Sequence, residues 1–234
     1  MLEVRNLNVA YGEVQVIWDV SFSIKEKEIV SIVGPNGAGK STIINAVTGV
    51  LPAISGEVLL DGKEIVSLKP TRRVNDGLVQ VPEGRLLFPN MSVKDNLRIG
   101  AYPPSARKMV DENMEFVFDL FPVVKERQYQ IAGSLSGGEQ QMLAIAMGLM
   151  ASPKLLILDE PSIGLAPIIV DRVLETLSRI RDTGITMMLV EQDVYVSLGI
   201  ADRGYVIENG KILMEGKARE LLNDPHIKNV YLSI

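Results

Sequence analysis

Cysteine is absent from all 234 residues, which excludes disulfides and thiolate metal sites and is compatible with a reducing compartment. Histidine occurs once, as His226 near the C-terminal end, where a surface position is expected. A basic excess is also missing. The net charge is −5 and the isoelectric point is near 5.1, which argues against broad contact with nucleic acid or anionic lipid. Met1–Val9 carries Glu3 and Arg5 with no long apolar core, so no secretory signal is expected. The most apolar stretch, Met142–Ala151, gives way to Ser152-Pro153-Lys154 far short of the roughly 20 residues needed to cross a bilayer. Any membrane role is therefore expected to come through a partner. Internal repeats and low-complexity segments are absent too. What remains is an ordinary globular composition, 47% hydrophobic and 23% charged, sufficient for one large domain or a core with an insertion.

The patterning describes an α/β chain. Leu2–Ala10, apolar at Leu2, Val4, Leu7 and Val9, reads as an edge strand, and Val14–Ile24 continues with β-branched residues. Ile29–Val33 is a short apolar run of buried-strand type, and Lys40–Val47 reads as a helix that Gly49 closes. Asp61-Gly62 and Asn209-Gly210 sit between apolar runs as hairpin turns. Residues 84–151 differ, with helical patterns, a Pro103-Pro104 break and few strand-like runs; we expect a helical subdomain inserted into a core formed by about 1–83 and 152–234. Val170, Val173, Leu174 and Leu177 mark an amphipathic helix over Pro167–Arg181, followed by a strand over Ile185–Val190. Strand and helix in alternation imply a mainly parallel sheet with helices on its faces.

Three segments carry chemistry. Gly34-Pro35-Asn36-Gly37-Ala38-Gly39-Lys40-Ser41 fits G-x-x-x-x-G-K-[ST], between an apolar strand and a helix. Backbone N–H groups in such a loop turn toward phosphate oxygens, Lys40 reaches the terminal phosphates, and Ser41 offers its hydroxyl to Mg²⁺. Leu155–Leu158 delivers Asp159 and Glu160 to the C-terminal end of a strand, where α/β proteins bind ligands. Asp159 suits the Mg²⁺ shell, and Glu160 suits an attacking water that must be oriented and polarised. Ser136-Gly137-Gly138-Glu139 fits a Ser-x-x-Glu capping box, which leaves helix N–H groups facing outward for an anion.

Together these segments, with Leu135 opening the Leu135–Glu139 pentapeptide, resemble the ATP-binding cassette (ABC) family over nearly the whole chain. The resemblance implies the ABC ATPase fold: a P-loop NTPase core, an N-terminal antiparallel β region and the inserted helical subdomain. It implies ATP hydrolysis with Mg²⁺, the loop from Gly34 to Thr42 holding phosphates and Ser136, Gly137, Gly138 and Glu139 serving a nucleotide on a second subunit. Tyr11 stands where the family often stacks an aromatic on adenine. Ser162–Ala166 occupies the segment between the two ATP sites, and the stretch after Glu83, including Arg85–Phe88, is expected to receive a permease helix. Three positions depart from the family pattern. Glu139 and Glu83 replace glutamines, the latter expected near Mg²⁺ or its water, and Gln192 replaces a switch histidine. Gln192 keeps an amide for the γ-phosphate but cannot titrate near neutral pH.

The segments Val81–Arg85, Pro161–Pro167 and Val190–Gln192 look like the ATPase subunits of branched-chain amino-acid importers. That implies a second cassette subunit, identical or not, two transmembrane permeases, indirectly a solute-binding protein, and a peripheral place on the cytoplasmic face of the inner membrane. Competing readings are the motor of a lipid or polysaccharide exporter, and a non-transport ABC ATPase acting on ribosomes or DNA. The latter usually shows tandem cassettes or basic extensions, which this chain lacks. An Asn-Lys-x-Asp motif for guanine is absent as well, against a small GTPase.

Overall fold

The computed structural model describes residues 1–231. Two compact units divide the chain: one comprises Met1–Arg73 with Thr186–Ile234, the other Val74–Ile185. The chain runs β1 (Leu2–Tyr11), β2 (Val14–Ile24), β3 (Ile29–Val33), α1 (Lys40–Thr48), β4 (Ser55–Leu60) and β5 (Lys63–Glu64), then α2 (Pro70–Asn75) across the division. The second unit follows with β6 (Leu78–Val81), α3 (Val93–Gly100), α4 (Pro104–Arg107), α5 (Val110–Leu120), α6 (Pro122–Glu126), α7 (Gly137–Met150), β7 (Leu155–Asp159) and α8 (Pro167–Asp182). The first unit resumes with β8 (Thr186–Glu191), α9 (Val194–Ile200), β9 (Arg203–Glu208), β10 (Lys211–Lys217), α10 (Ala218–Asn223) and α11 (Pro225–Tyr231).

The fold is α/β, with an antiparallel N-terminal sheet and mainly parallel pairing elsewhere. In the first unit an antiparallel sheet runs in the order β2-β1-β4-β5. β1 is thus not an edge strand, as its sequence suggested, but lies between β2 and β4. Local alternation reports which face is buried and says nothing of partners far along the chain. The imperfect alternation has its own cause. Register shifts between Val4 and Ala10 accompany Asn6 in a left-handed conformation, so side-chain parity slips along the strand.

β3 lies between β8 and β9, parallel to both, with all five residues buried. Strands covered on both faces read as continuous apolar runs. β9 returns to β10 through Asn209-Gly210, both at positive φ as a type I′ hairpin requires, and Asp61-Gly62 makes the matching turn from β4 to β5.

In the second unit β6 and β7 pair in parallel, and α7 packs across them. Gly148 of α7 makes that approach possible: a Cβ there would lie 2.7 Å from Val81 Cγ2. α7 begins at Gly137, directly after its Ser136 cap.

Candidate nucleotide site

In the first unit the phosphate loop leaves the C-terminal end of β3 and enters α1. Gly39 caps α1 in a left-handed conformation at φ 106°, and no side chain caps the helix. A side chain at Gly39 would be strained twice, by that φ and by a Cβ placed 2.6 Å from Ile17 Cδ1. The helix therefore presents an N-terminus with its positive dipole end open to an anion. Lys40 is buried, and its Nζ donates to Gly34 O at 2.9 Å and to Pro35 O at 3.4 Å, which curls the side chain back over the loop. Ser41 is exposed at the helix start. Thr42 is buried, its Oγ1 3.5 Å from the hydroxyl of Tyr11, the last residue of β1. The Tyr11 ring is half exposed. Loop, helix start and aromatic ring thus meet in one unit.

Gln192 joins them by register. Val33 pairs with Glu191 across β3 and β8, so Gly34 and Gln192 leave neighbouring parallel strands side by side. Gln192 is exposed, and the next residue, Asp193, caps α9 by accepting from Val196 N at 3.0 Å.

The far end of α1 is held by a residue the sequence did not single out. Arg73 is 2% exposed and its guanidinium donates to Ala46 O at 2.8 Å and Val47 O at 2.6 Å, carbonyls of the last turn of α1, the first of which also accepts from Gly49 N at 3.2 Å. It also donates to Leu68 O at 3.0 Å and Val66 O at 2.7 Å. Burial lowers its pKa; it stays a cation and meets the negative end of the helix dipole. Gly49 sits beneath it at φ 81°, with room for no Cβ: one there would approach Arg73 Nε to 2.7 Å.

In the second unit, β6 and β7 end side by side, and each is followed closely by a carboxylate. Val81 pairs with Leu158, and Glu83 and Glu160 each lie two residues beyond that pair. Asp159 ends β7 and is buried, as is Glu160, which stands in a left-handed conformation at φ 45°. Non-glycine residues take that conformation at a cost of roughly 1–2 kcal/mol, and such strain gathers at functional positions. Glu83 is exposed, in the turn after β6.

The Ser136 segment forms a complete capping box: Glu139 N donates to Ser136 Oγ at 3.4 Å, and Ser136 N and Oγ both donate to Glu139 Oε2 at 2.8 Å. Arg127 Nε lies 2.7 Å from Glu139 Oε1. Burial works to raise the Glu139 pKa, but the Ser136 hydrogen bonds and the Arg127 charge outweigh it and hold the carboxyl below its ordinary range. Arg85 also lies here. A Cβ built on Gly137 would lie 2.7 Å from Arg85 Nη1, and Arg85 Nη2 donates to Ile163 O at 3.3 Å. No local signal in the sequence links Arg73 to Ala46 and Val47, or Arg85 to Ile163, since these contacts are made across a long stretch of chain.

A glycine-rich strand-to-helix loop with a curled lysine, together with an acidic strand end, defines a P-loop nucleoside triphosphatase. The ABC transporter family model matches residues 17–163, and the chain belongs to that family. It is 43% identical over 232 residues to the high-affinity branched-chain amino acid transport ATP-binding protein BraG of Pseudomonas aeruginosa, covering 99% of each chain. It is 36% identical to the probable branched-chain amino acid transport ATP-binding protein LivF of Archaeoglobus fulgidus, over 100% of this chain and 99% of that one. The lipopolysaccharide export system ATP-binding protein LptB of Escherichia coli K12 matches at 33%, over 99% of this chain and 96% of LptB. Among solved structures, the ADP conformation of MJ1267, an ATP-binding cassette of an ABC transporter, superposes with a TM-score of 0.87 at 29% identity, covering 100% and 99% of the two chains. The chain is an ABC ATPase and binds ATP. Among the described residues no helix is long and apolar enough to cross a membrane.

Proposed function

We propose that this chain is the ATP-hydrolysing subunit of an importer for branched-chain or related amino acids, peripheral to the cytoplasmic face of the inner membrane. It would be held there by two permeases, work beside a second cassette subunit that is identical or not, and depend indirectly on a solute-binding protein. The observation that carries this reading is the 43% identity to BraG across the whole chain. The lower identity to LptB weighs against the exporter alternative.

The site residues divide the work. The uncapped start of α1, with Gly34, Pro35, Asn36, Gly37, Ala38 and Gly39 before it, fits a polyphosphate, because a helix N-terminus and the adjacent Lys40 ammonium offer donors to an anion. Thr42 supports the loop floor, and Tyr11 offers a face for adenine. Ser41, Asp159 and Glu83 are oxygen donors that would hold Mg²⁺ or its waters. Mg²⁺ beside a nucleotide is carried largely by phosphate oxygens and water, with few protein ligands. When bound, Mg²⁺ supplies charge neutralisation at the phosphates. Glu160 orients and polarises the attacking water, and the Gln192 amide donates to the γ-phosphate. Ser136, Gly137, Gly138 and Glu139 face the nucleotide of the second cassette. Two cassettes close head to tail around ATP, hydrolysis removes the phosphate that bridges them, and the permeases follow the reopening. We further propose that residues 84–151 form the helical subdomain that meets the permeases.

Affinity purification from native membranes in mild detergent tests the reading. Recovery with two polytopic permeases, a second cassette and an amino-acid-binding protein is expected. Recovery with ribosomes or DNA from the soluble fraction would overturn it.

A further inference from the structure

The Gly137 surface carries more charge than its own sequence suggests. Gly84 and Arg85 follow Glu83 as consecutive left-handed residues, at φ 85° and 52°. That turn is favourable for glycine and unfavourable for arginine. It lays the Arg85 side chain on the start of α7, where a Cβ on Gly137 would meet Nη1 at 2.7 Å. The same guanidinium lies 3.8 Å from the Cβ position of Gly164, and its Nη2 donates to the carbonyl of Ile163. Ser136, Ile163 and Gly164 are exposed, so the cation sits at a surface, not in a core.

The neighbouring charges resolve in its favour. Glu139 would by itself repel a polyphosphate from this surface, but Arg127 at 2.7 Å pairs with it. With that pair neutral in sum, Arg85 adds a positive charge beside the start of α7. An ammonium could supply the same charge, whereas a guanidinium also grips the Ile163 carbonyl while keeping other N–H donors for phosphate oxygens.

We propose that Arg85 is a phosphate-binding residue of the composite site, contacting the triphosphate that a second cassette presents to Ser136 and Gly137. This inference rests on the reading of the Ser136 segment given above. Arg85 thereby ties the turn after Glu83 and the Ser162–Ala166 segment to the presence of a terminal phosphate, because one side chain touches both and would be drawn to the anion.

The test separates charge from scaffold. In a Lys40→Ala chain, whose own phosphate loop is disabled, tripolyphosphate is titrated while the amide resonances of Gly137, Gly138 and Glu139 are followed by NMR. Shifts that saturate, weakened fivefold or more by Arg85→Gln and less than twofold by Arg85→Lys, are expected. Glutamine can still donate to Ile163 O but carries no charge. Equal titrations for Arg85→Gln and the parent, or no shifts in either, would overturn the proposal. So would loss in both variants, which marks a scaffold role. A second measurement uses Glu160→Gln chains with ATP in sedimentation equilibrium. There Arg85→Gln should raise the monomer–dimer Kd about tenfold at low salt, with the difference shrinking as salt rises. Failure of the Glu160→Gln parent to dimerise would sink the composite-site reading instead, while the titration still decides on Arg85.

Discussion

At the scale of single residues, the site departs from local rules where chemistry is expected. Glu160 is buried and holds a left-handed backbone at φ 45°, a conformation that asparagine or glycine would accept more readily. Its identity was legible from the apolar run that ends in Asp159-Glu160; its conformation was not, since φ depends on the turn that β7 enters. Glu160→Gln keeps the size and backbone and removes the base. Turnover should fall at least about 100-fold, with ATP-bound dimer accumulating in sedimentation and little change in Tm. A variant hydrolysing ATP at the parent rate would remove Glu160 from the mechanism. Glu139 makes a different claim. A carboxylate whose pKa drops on folding contributes stability that is fully present above its ordinary pKa and is lost as pH falls through the folded value. Glu139→Gln should therefore cost stability at about pH 7 and cost progressively less toward about pH 3.5, read from urea midpoints at each pH. A gap that stays constant with pH would mean that the Arg127 pair contributes nothing.

Among the elements, α1 shows how far sequence reasoning reaches. Its start and its glycine stop were visible because loop, helix and Gly49 are contiguous, and the α7 capping box was visible for the same reason. The clamp on the last turn of α1 was not. In Thr71-Arg72-Arg73 two adjacent arginines look like a solvated face, and only the folded chain brings Arg73 to Ala46 and Val47. The place of β1 between β2 and β4 stayed hidden for a like reason, since Leu60 pairs with Leu2 from the far end of β4. Removing Arg73 takes a charged donor from the carbonyls of Val47, Leu68 and Val66, while Ala46 O keeps its bond from Gly49 N. Arg73→Ala should destabilise by about 3 kcal/mol, moving the urea midpoint down by about 1 M for an m-value near 3 kcal/mol/M. Gly49→Ala should also destabilise, by about 1–2 kcal/mol from its φ alone, and more if the Cβ displaces Arg73. An Arg73→Ala chain with an unchanged midpoint would show the clamp to be idle.

For the molecule as a whole, ligand response is the sharpest measure. Nucleotide at about one hundred times its Kd adds roughly 2.7 kcal/mol, which for a chain of this size corresponds to a Tm rise of about 5–10 °C. Differential scanning calorimetry with Mg²⁺ and ATP should register that rise in the parent and lose it in Lys40→Ala. An equal rise in both would mean that ATP binds elsewhere.

The shared register of β6 and β7 carries a consequence for how such a chain can change over generations. Because Glu83 and Glu160 each lie only two residues past the paired Val81 and Leu158, a single inserted or deleted codon before either glutamate would alter how far it stands from the strand end that positions it. Length variation among descendants should therefore be purged between Val81 and Glu83 and between Leu158 and Glu160. It should collect instead in exposed connections such as the turn at Asp61-Gly62, where no such alignment is at stake.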